Sequence, residues 1–184
     1  MSNPVLPNTN PGLCVWFTGL PCAGKSTLAA ELAQYLQRRG MEVVVFDGDA
    51  VRTNLSADLG FSREHRHANA LRVAAAAREV VERGAMAVCA LVSPYRESRT
   101  QAREVIGLER FLEVFVDTPI EVCEARDVKG MYRRARAGKL EHFTGVSDPY
   151  EAPLDPDVRV VGSGIPGEAI LPIMGAISRR NCDG

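Results

Sequence analysis

The sequence predicts a three-layer α/β fold, with a mostly parallel five-stranded sheet and helices on both faces. Two observations predict it. Short apolar runs alternate regularly with stretches of helical spacing, and glycine or polar residues follow the end of each run. Because parallel strands need a crossover between them, this alternation favours a parallel sheet whose ligand site lies at the carboxyl ends of its strands.

The strands are predicted from continuous, largely β-branched runs, as expected for strands that are buried on both faces. In chain order the predicted strands are 13–18, 42–49, 86–92, 111–117 and 158–161. Helical spacing and capping residues predict helices at 25–39, 62–83, 102–106, 118–126 and 168–180. Residues 1–12 are expected to form a flexible arm, and residues 13–184 a single domain.

Composition excludes several classes of partner. Lys and Arg number 22 against 23 Asp and Glu, for a net charge of -1, so no general attraction to nucleic acid or to an anionic membrane is expected. The apolar runs are too short to span a bilayer. Five cysteines without metal-ligand spacing favour a reducing compartment, and we expect the protein to be cytoplasmic.

Residues 19–26, GLPCAGKS, match the phosphate-binding motif GxxxxGK[ST] between a predicted strand and a predicted helix. In this motif backbone N–H groups surround the phosphates of a nucleoside triphosphate, while Lys25 reaches the β and γ oxygens and Ser26 binds Mg²⁺. We expect the triphosphate to be held by Gly19, Leu20, Pro21, Cys22, Ala23, Gly24, Lys25, Ser26 and Thr27.

Two carboxylates end the second predicted strand. Asp47 and Asp49 would face the γ-phosphate, one organising magnesium-bound water and the other accepting a proton from an attacking hydroxyl. A short helical turn would aim Arg52 at the same crevice. A solvated Asp-Gly turn is the alternative explanation.

An aromatic residue, Phe61, precedes Arg66 and Asn69, which share one helix face. This combination suits a ligand with an aromatic base and an anionic group, although a core phenylalanine beside a solvated basic helix gives the same pattern. Ser93 follows the third strand and is a substrate donor, a phosphoryl acceptor or a helix cap; the local pattern favours the cap. The basic, polar segment 129–156 is predicted to be a mobile lid, with a solvated loop as the alternative.

Together these segments resemble the adenylylsulfate (APS) kinase family from residue 15 to about residue 156. FDGDAVR resembles the family's DGDxxR segment, LGFSREHRHAN resembles LGFSxxDRxxN, and SPYR resembles SP[FY]R. Residues 117–153 are similar to its DTPLxVCExRDxKGLYxxAR…FTGxxxPYExP region. Several separated motifs in one order make this match more specific than a phosphate-binding loop alone. One departure is His65, where the family usually has an acid.

The resemblance implies transfer of the ATP γ-phosphoryl group to the ribose 3′-hydroxyl of adenosine 5′-phosphosulfate (APS), giving PAPS and ADP, with Mg²⁺ as cofactor. It implies that Asp49, Lys25 and Ser93 serve catalysis, that Ser26 and Asp49 bind the metal, and that Arg126 covers the ATP adenine. APS would be bound by Asp49, Arg52, Phe61, Arg66, Asn69, Ser93, Lys129 and Phe143, with the two phenylalanines enclosing its adenine. A homodimer is also implied, and functional coupling to a separate sulfate adenylyltransferase is compatible with it.

Two other functions fit the phosphate-binding motif. One is a P-loop kinase for a sugar acid, shikimate or a nucleoside monophosphate. The other is a nucleotide-dependent switch, although the guanine-binding pattern NKxD is absent from the sequence. The two phenylalanines with Arg66 and Asn69 favour an acceptor that contains adenine.

Overall fold

The structure, a computed structural model, describes residues 12–161 and 166–182. Its strands are β1 (Cys14–Thr18), β2 (Val43–Asp47), β3 (Met86–Ala90), β4 (Phe111–Val116) and β5 (Val158–Val160). They form one sheet in the order β2-β3-β1-β4-β5, and each neighbouring pair is parallel. The predicted α/β fold is confirmed. Apart from Gly12, the expected arm lies outside the described residues.

Seven helices and one 3₁₀ turn, at Leu108–Arg110, connect and cover the described strands. The helices are α1 (Lys25–Gln37), α2 (Gly48–Asn54), α3 (Arg63–Glu82), α4 (Arg96–Ile106), α5 (Ile120–Arg126), α6 (Met131–Arg136) and α7 (Pro166–Cys182). The start of α4 was predicted too late, because its first turn, RESR, is polar and lacks an apolar spacing signal.

Two hydrophobic cores lie on opposite faces of the sheet. The first contains apolar side chains of α1 and α7 against one face of β1, β3 and β4, with Phe17 at its centre. The second contains those of α3 and α4 against the other face, with Trp16 fully buried. Successive side chains of a strand point to opposite faces, so β1 contributes to both cores. This arrangement is the predicted three-layer architecture.

The strand order places the ligand site. The chain passes from β1 to β2 and β3 on one side, and then crosses to β4 and β5 on the other side of β1. In such sheets the crevice for a ligand opens where the order reverses, beyond the carboxyl ends of the strands. The loops that follow β1, β2 and β3 therefore meet in one region.

The segment 129–156 is more ordered than a solvated loop. It contains α6, and the side chains of Tyr132, Phe143 and Thr144 are buried in it. Tyr132 and Phe143 belong to the core that contains α1 and β1, so the segment is not a solvated loop; its movement as a lid stays a prediction. None of the described helices is long and apolar enough to cross a membrane.

Candidate active site

The loop between β1 and α1 has the geometry of a phosphate site. Gly24, at the N-cap of α1, has a φ of 105°, a conformation that residues with a side chain rarely adopt. Gly19 passes so close to β4 that an added Cβ would lie 2.6 Å from the carbonyl oxygen of Val116. These glycines allow the tight turn that leads into the N-terminus of α1, where N–H groups and the helix dipole favour a phosphate.

Lys25 folds back into this loop. Its Nζ donates hydrogen bonds to the carbonyl oxygens of Gly19, at 2.9 Å, and Leu20, at 2.7 Å. Burial lowers the pKa of Lys25 from the ordinary 10.5 to about 8, because desolvation disfavours the charged amine. The loop thus holds a poorly solvated cation that the oxygens of a bound phosphate would stabilise.

The two carboxylates at the end of β2 have different partners. The Ser26 hydroxyl donates to Asp47 Oδ2 at 2.5 Å, and Asp47 Oδ1 accepts the backbone N–H of Asp49 at the start of α2. Asp49 in turn forms an ion pair with Lys129, and both side chains are more than half exposed. The carboxylate that meets Ser26 is therefore Asp47, whereas the sequence analysis grouped Ser26 with Asp49.

A cavity of about 310 Å³ opens beside this loop. Every residue that the sequence analysis assigned to APS lines it: Asp49, Arg52, Phe61, Arg66, Asn69, Ser93, Lys129 and Phe143. Sequence reasoning missed other lining residues, among them Leu91, Val92, Leu140 and His142. The fold thus gathers residues of α2, α3, the β3–α4 loop and the 129–156 segment around one space.

Phe61 gives this cavity an aromatic surface. Its side chain is 43% exposed. The guanidinium of Arg52 lies 4.2 Å from the ring centroid and that of Arg66 lies 5.4 Å from it. Arg52 also donates to the carbonyl oxygen of Gly60, and Arg66 to that of Phe61, both at 2.9 Å. The two arginines therefore fix the loop that presents the ring.

Arg66 and Asn69 lie on the buried face of α3. Burial lowers the pKa of Arg66, and the charge of Arg52 lowers it further; both groups stay protonated at neutral pH because a guanidinium loses its proton only in strong alkali. Asn69 Oδ1 is buried and has no hydrogen-bond partner among the described residues. A buried acceptor of this kind in a cavity wall is available to a donor on a ligand or to water.

The expectation that Ser93 caps the next helix is wrong. Helix α4 begins at Arg96 with Tyr95 at its N-cap, and the side chain that accepts the N–H of Arg96, at 2.9 Å, is that of Glu151. Instead, Ser93 Oγ accepts a hydrogen bond from the indole N–H of Trp16 at 3.1 Å. Ser93 has a φ of 35°, in the left-handed region. Local sequence could not show this role, because Trp16 precedes Ser93 by 77 positions.

Arg99, which the sequence analysis missed, anchors the loop that contains Ser93. Its buried guanidinium donates to the carboxylate of Glu113 and to the carbonyl oxygens of Ser93 and Glu151, each at 2.7 Å. Burial raises the pKa of Glu113, although the charge of Arg99 opposes that shift. Two loops, one after β3 and one before β5, are thereby joined beneath the cavity.

Phe143 is fixed differently from Phe61. It is 4% exposed and packs edge-to-face on Tyr132, with ring centroids 4.9 Å apart. Its backbone N–H donates to Ser147 Oγ at 2.9 Å. Core packing therefore positions Phe143, whereas charged groups at the surface position Phe61.

A second cavity, of about 360 Å³, shares Cys22, Lys25 and Ser26 with the first. Arg126 lines it, and its guanidinium lies 3.3 Å from the carbonyl oxygens of Cys22 and Ala23. The phosphate-binding loop thus borders both cavities. Transfer of a phosphoryl group between two nucleotides requires such an arrangement.

The oxygens at the loop fit a magnesium ion that is bound together with a triphosphate. The described residues contain no group of three or more His, Cys, Asp or Glu side chains that could hold a metal by themselves. Mg²⁺ in phosphoryl-transfer sites is held by one or two side chains, by phosphate oxygens and by water. Ser26 and Asp47 offer two such oxygens 2.5 Å apart.

Comparison with known proteins gives a consistent result. The family model of adenylylsulphate kinase matches residues 11–161. The adenylyl-sulfate kinase of Synechococcus sp. (strain JA-3-3Ab) is 52% identical over 147 residues, which are 80% of this chain and 82% of that protein. The adenylyl-sulfate kinase of Halothermothrix orenii is 48% identical over 149 residues, which are 81% and 80% of the two chains.

Among solved structures, the APS kinase of Mycobacterium tuberculosis in complex with AMPPNP and APS is similar to this chain with a TM-score of 0.88. The two are 38% identical, and the match covers 92% of this chain and 99% of that one. The likeness is therefore one of sequence as well as of fold.

Proposed function

This chain belongs to the adenylylsulfate kinase family, and from that membership we propose how it phosphorylates APS with ATP. The γ-phosphoryl group passes to the ribose 3′-hydroxyl of APS, and the products are PAPS and ADP. The observation that supports this reaction best is the first cavity, which places eight residues matched to the family's motifs beside the phosphate-binding loop.

Each of the two cavities binds a different nucleotide. The triphosphate of ATP binds residues 19–27, and its adenine lies in the second cavity beside Arg126. APS occupies the first cavity. The structure of the Mycobacterium tuberculosis relative contains an ATP analogue and APS together, which supports a site with room for both nucleotides.

Residues of the first cavity match the chemistry of APS. Arg52, Arg66 and Lys129 attract its phosphosulfate group, since charge-assisted hydrogen bonds to anionic oxygens are strong where water is partly excluded. Phe61 and Phe143 pack on its adenine. Both phenylalanines line the cavity, and an aromatic ring stacks on any base through its π face.

Catalysis rests on positioning and on charge, as in other phosphoryl transfers. The Asp49 carboxylate accepts the proton of the 3′-hydroxyl as that oxygen attacks the γ-phosphorus and ADP leaves. Because Asp49 is paired with Lys129, approach of the anionic acceptor releases the carboxylate by offering Lys129 a second partner. Lys25 neutralises charge that develops on the β and γ oxygens.

Ser26 and Asp47 would hold Mg²⁺, with Asp49 next to them at the start of α2. When bound, the ion neutralises phosphate charge and orients the γ-phosphoryl group. The pairing of Ser26 with Asp47 makes Asp47 the first metal-linked carboxylate and leaves Asp49 for the proton.

Other features belong to the same proposal. Residues 13–184 form a single catalytic domain that works as a homodimer in the cytoplasm, where the free thiols of Cys14, Cys22, Cys89 and Cys123 stay reduced. The acceptor is supplied by a sulfate adenylyltransferase. With a net charge of -1, no general attraction to nucleic acid or to an anionic membrane is expected.

An ADP-release assay tests the function. Mg-ATP is combined with APS, shikimate, gluconate, AMP or no acceptor, and ADP and PAPS are measured by chromatography. ADP should form with APS at micromolar concentration, together with an equal amount of PAPS. Equal ADP release without an acceptor would support the nucleotide-dependent switch, and release with another acceptor would assign the chain to a different kinase.

A further inference from the structure

One buried hydrogen bond makes a hydroxyl group of the first cavity an acceptor towards the core and leaves its hydrogen available. Trp16, in β1, is fully buried, and its indole N–H lies 3.1 Å from the hydroxyl of Ser93, which follows β3. An indole nitrogen is a donor only, because its lone pair belongs to the aromatic system. Ser93 Oγ must therefore be the acceptor of this bond.

A serine hydroxyl that accepts still has its own hydrogen to donate. Within residues 12–161 and 166–182, the indole is the hydrogen-bond partner of Ser93 Oγ, and Ser93 lines the first cavity. The core-facing side of the oxygen is occupied by the indole. The hydrogen of this hydroxyl is therefore available for donation to an acceptor nucleotide in the cavity.

The backbone of Ser93 is held equally firmly. Its carbonyl oxygen accepts from Arg99 at 2.7 Å and from the Thr18 hydroxyl at 3.4 Å. Its φ of 35° is a conformation that a residue with a side chain adopts at some cost in free energy. Such strained residues persist where neighbouring groups fix them, and they concentrate at functional sites. The anchored carbonyl and the indole together hold Ser93 Oγ at its position in the cavity wall.

We propose that Trp16 is a positioning residue for substrate: its indole N–H makes the Ser93 hydroxyl a fixed hydrogen-bond donor to an oxygen of the acceptor nucleotide. This inference rests on the proposed function and goes beyond it, because Trp16 is not in the cavity wall. It also assigns Ser93 a donor's role, in which the hydroxyl keeps its hydrogen for the substrate and is not itself phosphorylated during turnover.

A double-mutant cycle tests the proposal. Trp16→Phe removes the indole N–H, and Ser93→Ala removes the hydroxyl. Each change should raise the KM for APS about fivefold to tenfold, the typical effect of one lost hydrogen bond, and should change the KM for ATP little. If Trp16 acts through Ser93, the double variant should have the same KM for APS as Ser93→Ala alone.

Phe111→Leu is the matched control. The Phe111 ring packs against Trp16, with centroids 5.6 Å apart, in the same core. This variant should lower the denaturation midpoint while leaving the KM for APS unchanged. A purely structural effect of Trp16→Phe would instead resemble the control, with a lower denaturation midpoint and an unchanged KM for APS. A rise in this KM that adds to that of Ser93→Ala would mean that Trp16 does not act through Ser93.

If Trp16→Phe does not fold, the wild type and Ser93→Ala still test the proposal. Trp16 is the only tryptophan, so its emission reports on this bond: Ser93→Ala should shift it to shorter wavelength and should reduce its response to APS. An unchanged KM for APS in Ser93→Ala, or phosphorylation of Ser93 during wild-type turnover, would overturn the inference. Failure of the wild type to phosphorylate APS would overturn the proposed function instead.

Discussion

The Ser26 hydroxyl lies 2.5 Å from the Asp47 carboxylate, so the start of α1 and the end of β2 meet at one pair of oxygens. Asp49, two residues later, faces Lys129 across the first cavity. The two carboxylates therefore have separable environments, although they are only two positions apart, with Asp47 at the end of β2 and Asp49 at the start of α2. Their substitution should have different effects.

We expect Asp47→Asn to raise the Mg²⁺ concentration for half-maximal rate roughly tenfold or more, the usual effect of losing a group that orients a metal. Asp49→Ala should lower kcat roughly a hundredfold to ten-thousandfold, as for loss of a general base, with little change in the Mg²⁺ requirement. Rates measured across a Mg²⁺ titration distinguish the two. A shifted requirement in Asp49→Ala alone would restore the metal role to Asp49.

The lowered pKa of Lys25 predicts that ATP binding weakens at alkaline pH. Burial lowers its pKa to about 8, so the free enzyme loses this positive charge as the pH rises through 8. The kcat/KM for ATP should therefore fall above about pH 8. In the complex the phosphate oxygens stabilise the charged amine and raise its pKa, so kcat should fall only at higher pH.

Direct chromatography of ADP at pH 6.5 to 10 gives both profiles without enzymes that have pH limits of their own. Lys25→Ala should nearly abolish turnover, and its residual kcat/KM for ATP should no longer fall as the pH rises through 8. A fall at the same pH in both kcat and kcat/KM would mean that Lys25 is not the titrating group.

The sequence predicted the parts of the molecule that depend on local pattern. Strand runs such as VVVF and the GLPCAGKS loop gave the sheet and the phosphate site, because burial on both faces and backbone turning leave a direct mark on residue choice. The hydrogen bonds of Ser93 with Trp16 and of Arg99 with Glu113 and Glu151 were not predictable, since these partners are distant in sequence. Ser93 fits a helix cap until Trp16, distant in sequence, is placed beside it.

Lys129 should affect substrate binding without affecting stability. Its ion pair with Asp49 is exposed, with side chains 58% and 78% accessible, and exposed pairs contribute little to folding. Lys129→Ala should therefore leave the denaturation midpoint unchanged but raise the KM for APS roughly tenfold or more. Lys139→Ala, an exposed lysine of the same segment outside the cavity wall, is the control. Equal effects of both would indicate general attraction by the basic segment.

Arg99, in contrast to Lys129, should affect the stability of the folded protein. Its substitution by Met leaves the buried Glu113 carboxylate with Arg103, 3.8 Å away, as its remaining cationic neighbour. Breaking a buried pair from one side typically costs about 3–5 kcal/mol, which urea unfolding would measure. The control is Arg83→Met, because Arg83 pairs with Glu42 at the surface. A loss below about 1 kcal/mol in Arg99→Met would mean that Glu113 is protonated or finds another donor.

Phe61 provides the test of the adenine site. Its ring is 43% exposed and is held in place by Arg52 and Arg66, so truncation removes a contact surface without opening a hole in the core. Stacking on a base is worth about 1–3 kcal/mol; Phe61→Ala should therefore raise the KM for APS roughly fivefold to a hundredfold. The KM for ATP should change little, because Phe61 lines only the first of the two cavities.

The matched control is Leu108→Ala. Leu108 is 61% exposed in the 3₁₀ turn before β4, outside both cavity walls. Steady-state kinetics with APS varied at saturating ATP should separate the two variants, with Phe61→Tyr restoring affinity because its ring keeps the stacking face. Unchanged APS kinetics in Phe61→Ala would reject the stacking role. A parallel rise in the KM for ATP would place the ring's effect on the phosphate-binding loop.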